Sequence, residues 1–259
     1  MKFTIAALSS LCATVLAASG SDYNYNELTG PLNWYSLDPK NNAACAHSKF
    51  QSPINIDTHH ISHVPAGALS IDIPDTNGTL FKNKGTTLEV DLPYGTLTAG
   101  NSSYTLAQFH FHTPSEHRVN SQYFPLEVHF VFQTPAGSTA VVGFLFELSE
   151  SNECFSPFQS LFRHVPQIAQ PGSSTTTGPL DFDALANFLE SHAVYQYLGS
   201  LTTPPCTEGV KWFVSEGYLP LDVRSYNLLK KVIKFNARYT QNHPGGENLL
   251  MHESQAMAQ

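Results

Sequence analysis

Histidine alternates with phenylalanine in Gln108-Phe109-His110-Phe111-His112, and a third histidine, His129, sits inside the equally apolar stretch Leu126-Glu127-Val128-His129-Phe130-Val131. Both runs read as β-strands. In a strand, side chains at i and i+2 leave the same face, about 6–7 Å apart. Gln108, His110 and His112 therefore project together, while Phe109 and Phe111 enter the opposite layer. On the second run Glu127, His129 and Val131 share a face. If the two strands are neighbours, three imidazoles converge. Three neutral nitrogens around one cation leave a fourth tetrahedral position open, as a catalytic zinc site does. A lone strand histidine is more often a satisfied core or surface residue, and one H-x-H is weak evidence. The surroundings favour a metal, because ligand histidines donate their second N–H to a carboxylate, amide or carbonyl. Gln108 and Glu127 each lie two residues from a candidate ligand, on its face.

The rest of the chain sets the frame. Its 259 residues suit one large β-rich domain, and 17 prolines with 16 glycines imply many loops between short strands. A net charge of −8, with no Lys/Arg-rich run, argues against nucleic acid or an anionic membrane as partner. Small molecules fit better. Met1-Lys2, the apolar stretch Phe3 to Leu16 and the small residues Ala17-Ala18 predict a signal peptide over residues 1–18, hence secretion. Its apolar core is too short to span a bilayer comfortably. Cys12 leaves with that leader, so Cys45, Cys154 and Cys206 remain for one disulfide and one odd thiol. Sequence alone does not choose the pair. A Cys45–Cys206 bridge would close a loop of roughly 160 residues and add a few kcal/mol. Cys154 is then either buried and inert or a link between two chains of a homodimer. Asn77-Gly78-Thr79 and Asn101-Ser102-Ser103 are glycosylation acceptors in turn-like sequence.

No internal repeat, membrane span or dividing linker is evident. Strands are predicted at Thr79–Phe81, Thr87–Leu92, Gly95–Ala99, Leu106–His112, Leu126–Phe132, Thr139–Glu147 and Val210–Ser215. Helices are predicted at Asp183–Leu189 and Val223–Phe235. Residues 171–178 read as a surface loop, and the polar tail 244–259 as a fraying end. The expected fold is one mainly β (α+β) domain, residues 22–243, with peripheral helices.

Further motifs occur in order along the chain. Gly30-Pro31 with Trp34 comes first, then Gln51-Ser52-Pro53-Ile54-Asn55-Ile56, then the histidine segment running on through Thr113-Pro114-Ser115-Glu116-His117. Glu127-Val128-His129, Gly199-Ser200-Leu201-Thr202-Thr203-Pro204-Pro205-Cys206 and Asn236-Ala237-Arg238 follow. In these motifs the chain resembles the α-class carbonic anhydrases, from about Tyr25 to Gln241. The resemblance implies a central, twisted, mostly antiparallel sheet with a conical cavity and zinc at its base. It implies His110, His112 and His129 as ligands, with Gln108 and Glu127 orienting His110 and His129, and the backbone near Asn236 holding His112. It favours Cys45–Cys206 as the disulfide. Val131, Val141, Leu201, Val210 and Trp212 would form an apolar wall for carbon dioxide, although each also makes sense as ordinary core.

The implied reaction is reversible hydration of carbon dioxide to bicarbonate and a proton. Zinc with three neutral ligands keeps its double charge and lowers the pKa of bound water from 15.7 to roughly 7, so hydroxide can attack the carbon. Thr202 would accept from that hydroxide and donate to an ionised Glu116, with Thr203 beside substrate or ordered water. One departure stands out. Many fast members carry a proton-passing histidine where this chain reads Asn83-Lys84-Gly85-Thr86. Threonine does not titrate near neutrality as histidine does. Proton release is therefore expected to be slow, unless His59, His60 or His63 reaches the cavity; surface solvation is the simpler reading of those three. A silent binding module on the same fold would typically lack a ligand histidine, and all three are present. Another kind of zinc hydrolase finds no H-E-x-x-H helix to support it.

Overall fold

The structure is a computed structural model and describes residues 23–257. The expected leader, residues 1–18, lies outside the described residues. The first strands are β1 (Asn55–Ile56), β2 (Ser62–Val64), β3 (Leu69–Asp72), β4 (Leu80–Asn83), β5 (Leu88–Asp91) and β6 (Thr96–Ala99). The central ones are β7 (Ser102–His112), β8 (Arg118–Val119), β9 (Leu126–Gln133) and β10 (Thr139–Leu148). The last are β11 (Ser174–Thr176), β12 (Val194–Ser200) and β13 (Glu208–Leu221). Helices are α1 (Trp34–Leu37), α2 (Ala43–His47), α3 (Phe158–Phe162), α4 (Asp183–Ser191), α5 (Val223–Ile233) and α6 (Leu249–Met257). Among the described residues no helix is long and apolar enough to cross a membrane.

One sheet organises the molecule, in the order β11-β4-β5-β7-β9-β10-β13-β12-β2, with β6 and β3 continuing off β7. Its pairings are antiparallel except β10 with β13. In the middle of the sheet the strands are covered on both faces, and β9 is buried from Leu126 to Phe132. Its even positions, with Phe109 and Phe111 of β7, enter a large core roofed by α3, α4 and α5. Phe109 stacks on Phe130 at 4.7 Å, and Phe111 meets Phe162 edge-on at 5.3 Å. Odd positions turn to the other face. Residue by residue, this alternation puts hydrocarbon on one side and imidazole on the other.

Several expectations need correction. The stretch 171–178 is not all loop, because its Thr-rich centre forms the edge strand β11 on β4, Thr175 opposite Phe81. The helix expected to reach Phe235 stops at Ile233, where Lys234 turns left-handed (φ 61°). As far as Met257 the tail after Pro244 carries helix α6 rather than loose coil: Asn248 is buried, its Oδ1 accepts from Leu250 N at 3.0 Å as a helix cap, and its Nδ2 donates to Ser48 O at 2.9 Å. Strand β12 had not been anticipated, and β13 is far longer than Val210–Ser215.

Cys45 and Cys206 form the disulfide, fully buried against Trp34. Cys154 is the free cysteine among the described residues, half-buried, and burial pushes its thiol up to about 11. Such a thiol is a poor nucleophile at neutral pH. Because the bridge closes a separation of 161 residues, replacing both Cys45 and Cys206 by alanine should lower stability by roughly 2–5 kcal/mol. Urea unfolding without reductant measures this, and a loss under about 1 kcal/mol would show that the bridge adds little.

Candidate metal centre

Strands β7 and β9 pair so that His110 stands directly opposite His129, and His112 opposite Glu127. The three rings lie 4.6–5.3 Å apart between centroids. One nitrogen from each falls within 4.8 Å of the others. The remaining nitrogens are committed. His110 Nδ1 lies 2.8 Å from Gln108 Oε1, His112 Nδ1 2.8 Å from the Asn236 carbonyl, and His129 Nε2 2.8 Å from Glu127 Oε1. Each partner is an acceptor, so each of those nitrogens donates. The lone pairs then belong to Nε2 of His110 and His112 and to Nδ1 of His129. His112 Nε2 is buried with no hydrogen-bond partner among the described residues, a state protein interiors avoid unless a cation or water fills it. Burial also lowers the pKa of all three rings, His112 to about 4 and His110 well below its ordinary value with help from its two neighbours, so they are neutral. A convergent set of neutral nitrogen donors is what a borderline-soft divalent ion such as zinc takes.

Glu127 ties the centre to the fold. Oε1 accepts from His129 Nε2 and from His117 Nδ1 (2.7 Å), and Oε2 from the backbone N–H of Glu116 and of His117, both at 2.8 Å. Burial works to raise this carboxyl. The facing His117 and His129 outweigh it and hold Glu127 well below the usual range. Gly143 lies opposite His129 on β10, where a Cβ would come 3.3 Å from Glu127 Oε1. The sequence motif alone gives His117 no role. Its Nε2 meets Tyr197 Oη at 2.7 Å, and Tyr197 Oη meets Ser52 Oγ at 2.7 Å. Ser52 N in turn donates to Ser200 Oγ at 2.9 Å. A buried polar chain thus joins Glu127 to the segment that carries Thr202. The motifs holding Ser52, His117 and Ser200 were visible in sequence; their mutual contact was not.

Glu116 is buried, its Oε1 accepting from Arg238 N at 2.8 Å, and its Oε2 has no hydrogen-bond partner among the described residues. Its Oε2 lies 3.5 Å from His112 Nε2 and 4.0 Å from His129 Nδ1. Burial pushes this carboxyl up to about 7, against the pull of His129, the Arg238 N–H and Thr202. Arg238, also missed, is buried and donates to Gln51 Oε1 and Ser52 O at 2.9 and 2.7 Å. Val131, Val141, Val210 and Trp212 form one apolar cluster with Leu201 packed against it, and the Trp212 ring lies 4.8 Å from His129. Thr203 is half-exposed. Asn236 also fixes Thr86, its Nδ2 donating to Thr86 O at 3.0 Å. Lys84 forms an ion pair with Glu89 at 3.5 Å. His59, His60 and His63 stay at the surface beside β2, the far edge of the sheet; His60 pairs with Asp57 and His63 with Glu216.

The family model of eukaryotic-type carbonic anhydrases matches residues 29–249 of this chain. The chain belongs to that family. Its enzyme activity is accordingly that of a carbonate dehydratase, the hydration of carbon dioxide. The fungal α-carbonic anhydrase of Aspergillus oryzae superposes with a TM-score of 0.88 at 55% identity, over 90% of this chain and 99% of that one. The α-carbonic anhydrase of Thermovibrio ammonificans, solved with the inhibitor sulfanilamide, gives 0.77 at 32% identity, over 86% and 96%. A carbonic anhydrase of Pectobacterium atrosepticum is 31% identical over 236 residues, 90% of this chain and 91% of its own.

Replacing Gln108 by leucine removes the acceptor that orients His110. Zinc affinity should fall roughly 10–100-fold with the fold intact, as read by competition against a chelating dye. Unchanged affinity would show that Gln108 does not orient the ring.

Proposed function

We propose that this chain hydrates carbon dioxide at a zinc ion held by His110, His112 and His129. The observation that carries the reading is the commitment of each outer ring nitrogen to an acceptor, which leaves three neutral lone pairs converging beside a buried carboxyl. Zinc held by these three rings would acidify a water to a pKa of about 7 and so would supply the nucleophile at neutral pH. The protein supplies the rest. Ionised Glu116 accepts from the Thr202 hydroxyl, which leaves Thr202 only a lone pair to offer the nucleophile. The nucleophile would therefore donate a hydrogen bond to Thr202 and keep a lone pair turned towards the carbon. A divalent ion beside Glu116 favours the ionised form this role needs, opposing the effect of burial. Carbon dioxide carries no charge to grip, and the wall of Val131, Val141, Leu201, Val210 and Trp212 gives it an apolar seat. Thr203 receives bicarbonate at the same wall. The leader-like sequence of residues 1–18, the buried disulfide and the exposed acceptors Asn77 and Asn101 support secretion and glycosylation. Cys154, with its raised thiol, is read as inert rather than as an interchain link.

Stopped-flow acidification after mixing with carbon dioxide tests the reading. Activity should vanish on chelation and return with zinc; activity that survives full metal removal contradicts it. Thr202→Val should lower kcat/KM by roughly 100-fold, the scale of one lost positioning hydrogen bond in a dry site. With threonine at position 86, proton release limits turnover. Imidazole buffer should raise kcat and leave kcat/KM unchanged, and Thr86→His should do the same. A kcat independent of buffer would place the limiting step elsewhere.

A further inference from the structure

Arg238 is one of the largest fully buried side chains among the described residues, with 1% of its surface exposed. The hydrogen bonds of its guanidinium all end on neutral oxygens. Nη1 donates to Gln51 Oε1 at 2.9 Å and to Ser52 O at 2.7 Å, and Nη2 to Cys45 O at 3.2 Å. Its Nε has no partner among the described residues. The Trp34 ring, packed against the Cys45–Cys206 disulfide, lies 5.8 Å from the guanidinium carbon. Burying a cation on neutral groups alone is destabilising. What the side chain supplies is position, since a planar fork holds several acceptors at fixed angles.

The acceptors it holds flank Thr202. Ser52 N donates to Ser200 Oγ at 2.9 Å, and Ser52 Oγ accepts from Ser200 N at 3.0 Å. Gln51 Nε2 donates to Cys206 O at 3.1 Å, and Cys206 N closes the turn onto Thr203 O at 2.8 Å. Thr202 thus sits in a short loop whose two ends are bound to the dipeptide in the Arg238 fork. Through Cys45 the fork also holds the disulfide partner of Cys206. The backbone N–H of the same Arg238 donates to Glu116 Oε1 at 2.8 Å. One residue therefore ties the carboxyl to the Thr202 loop.

We propose that Arg238 is a positioning residue: its guanidinium, locked on Gln51, Ser52 and Cys45, fixes where its own N–H holds Glu116 relative to the loop that carries Thr202. The inference rests on the reading of Thr202 and Glu116 as the pair that directs the nucleophile. Arg238→Met removes the fork and Arg238→Lys keeps the charge with a single donor group. Neither alters the backbone N–H, so a loss of activity reports where that N–H sits.

The test is a double-mutant cycle on kcat/KM for carbon dioxide hydration, measured per zinc-loaded protein. Arg238→Met should lower it roughly 10–100-fold, the scale of a small misplacement at a reacting group, and Arg238→Lys by less. In a Thr202→Val background the same Arg238→Met change should cost less than about threefold, because the alignment it serves is already lost. A merely structural role, acting through the amount of folded protein, would multiply the two losses instead. Should Arg238→Met not fold, Gln51→Met removes one acceptor of the fork and the bond to Cys206 O, and the same non-additivity with Thr202→Val is expected. Losses that multiply, or an Arg238→Met protein within about twofold of wild type, overturn the role given to Arg238. Wild-type protein that does not hydrate carbon dioxide overturns the catalytic reading beneath it.

Discussion

Antiparallel pairing of β7 with β9 sets His110 against His129, and the geometry of the centre follows from holding that register. A strand has two faces, so a slip of one residue would drive the imidazoles into the core and turn the phenylalanines out. The face away from the site prevents it. Phe109 on Phe130, with Phe111 against Phe158 and Phe162, makes the observed register the one that buries the aromatic rings. Hydrophobic packing under the helices thereby positions polar chemistry on the opposite side of the sheet.

Polar order on that side depends on a buried carboxylate. An isolated ionised carboxyl would be strongly destabilising in such a place. Glu127 is tolerated because two ring N–H groups and two backbone N–H groups donate to it. The same bonds orient His129, fix the turn that carries Glu116, and reach through His117 and Tyr197 to Ser52 and the Thr202 segment. His129, the turn that carries Glu116 and the segment that carries Thr202 are thus parts of one hydrogen-bonded body.

The alternation around His110, His112 and His129 was legible because a period of two needs only neighbouring residues. The long central strands and the two longer helices were legible for the same reason, with ends displaced by a few residues. Roles that depend on distant backbone were not. Arg238 N holds Glu116 from 122 residues away, and a backbone donor leaves no mark on residue type. His117 lies in a turn beyond the strand, and its partner Tyr197 belongs to β12, a strand whose pattern is broken by Gln196 and Gly199. The edge strand β11 and the Asn248 cap were hidden in polar sequence that composition alone assigns to loops.

The central claim is that Nε2 of His110, Nε2 of His112 and Nδ1 of His129 surround one divalent ion and leave a fourth position open. X-ray absorption at the zinc edge of the loaded protein tests it most directly. The account predicts three imidazole nitrogens and one further light atom, all at about 2.0–2.1 Å, with one imidazole fewer in His112→Ala. Sulfur among the neighbours, or an unchanged imidazole count in that variant, would contradict it.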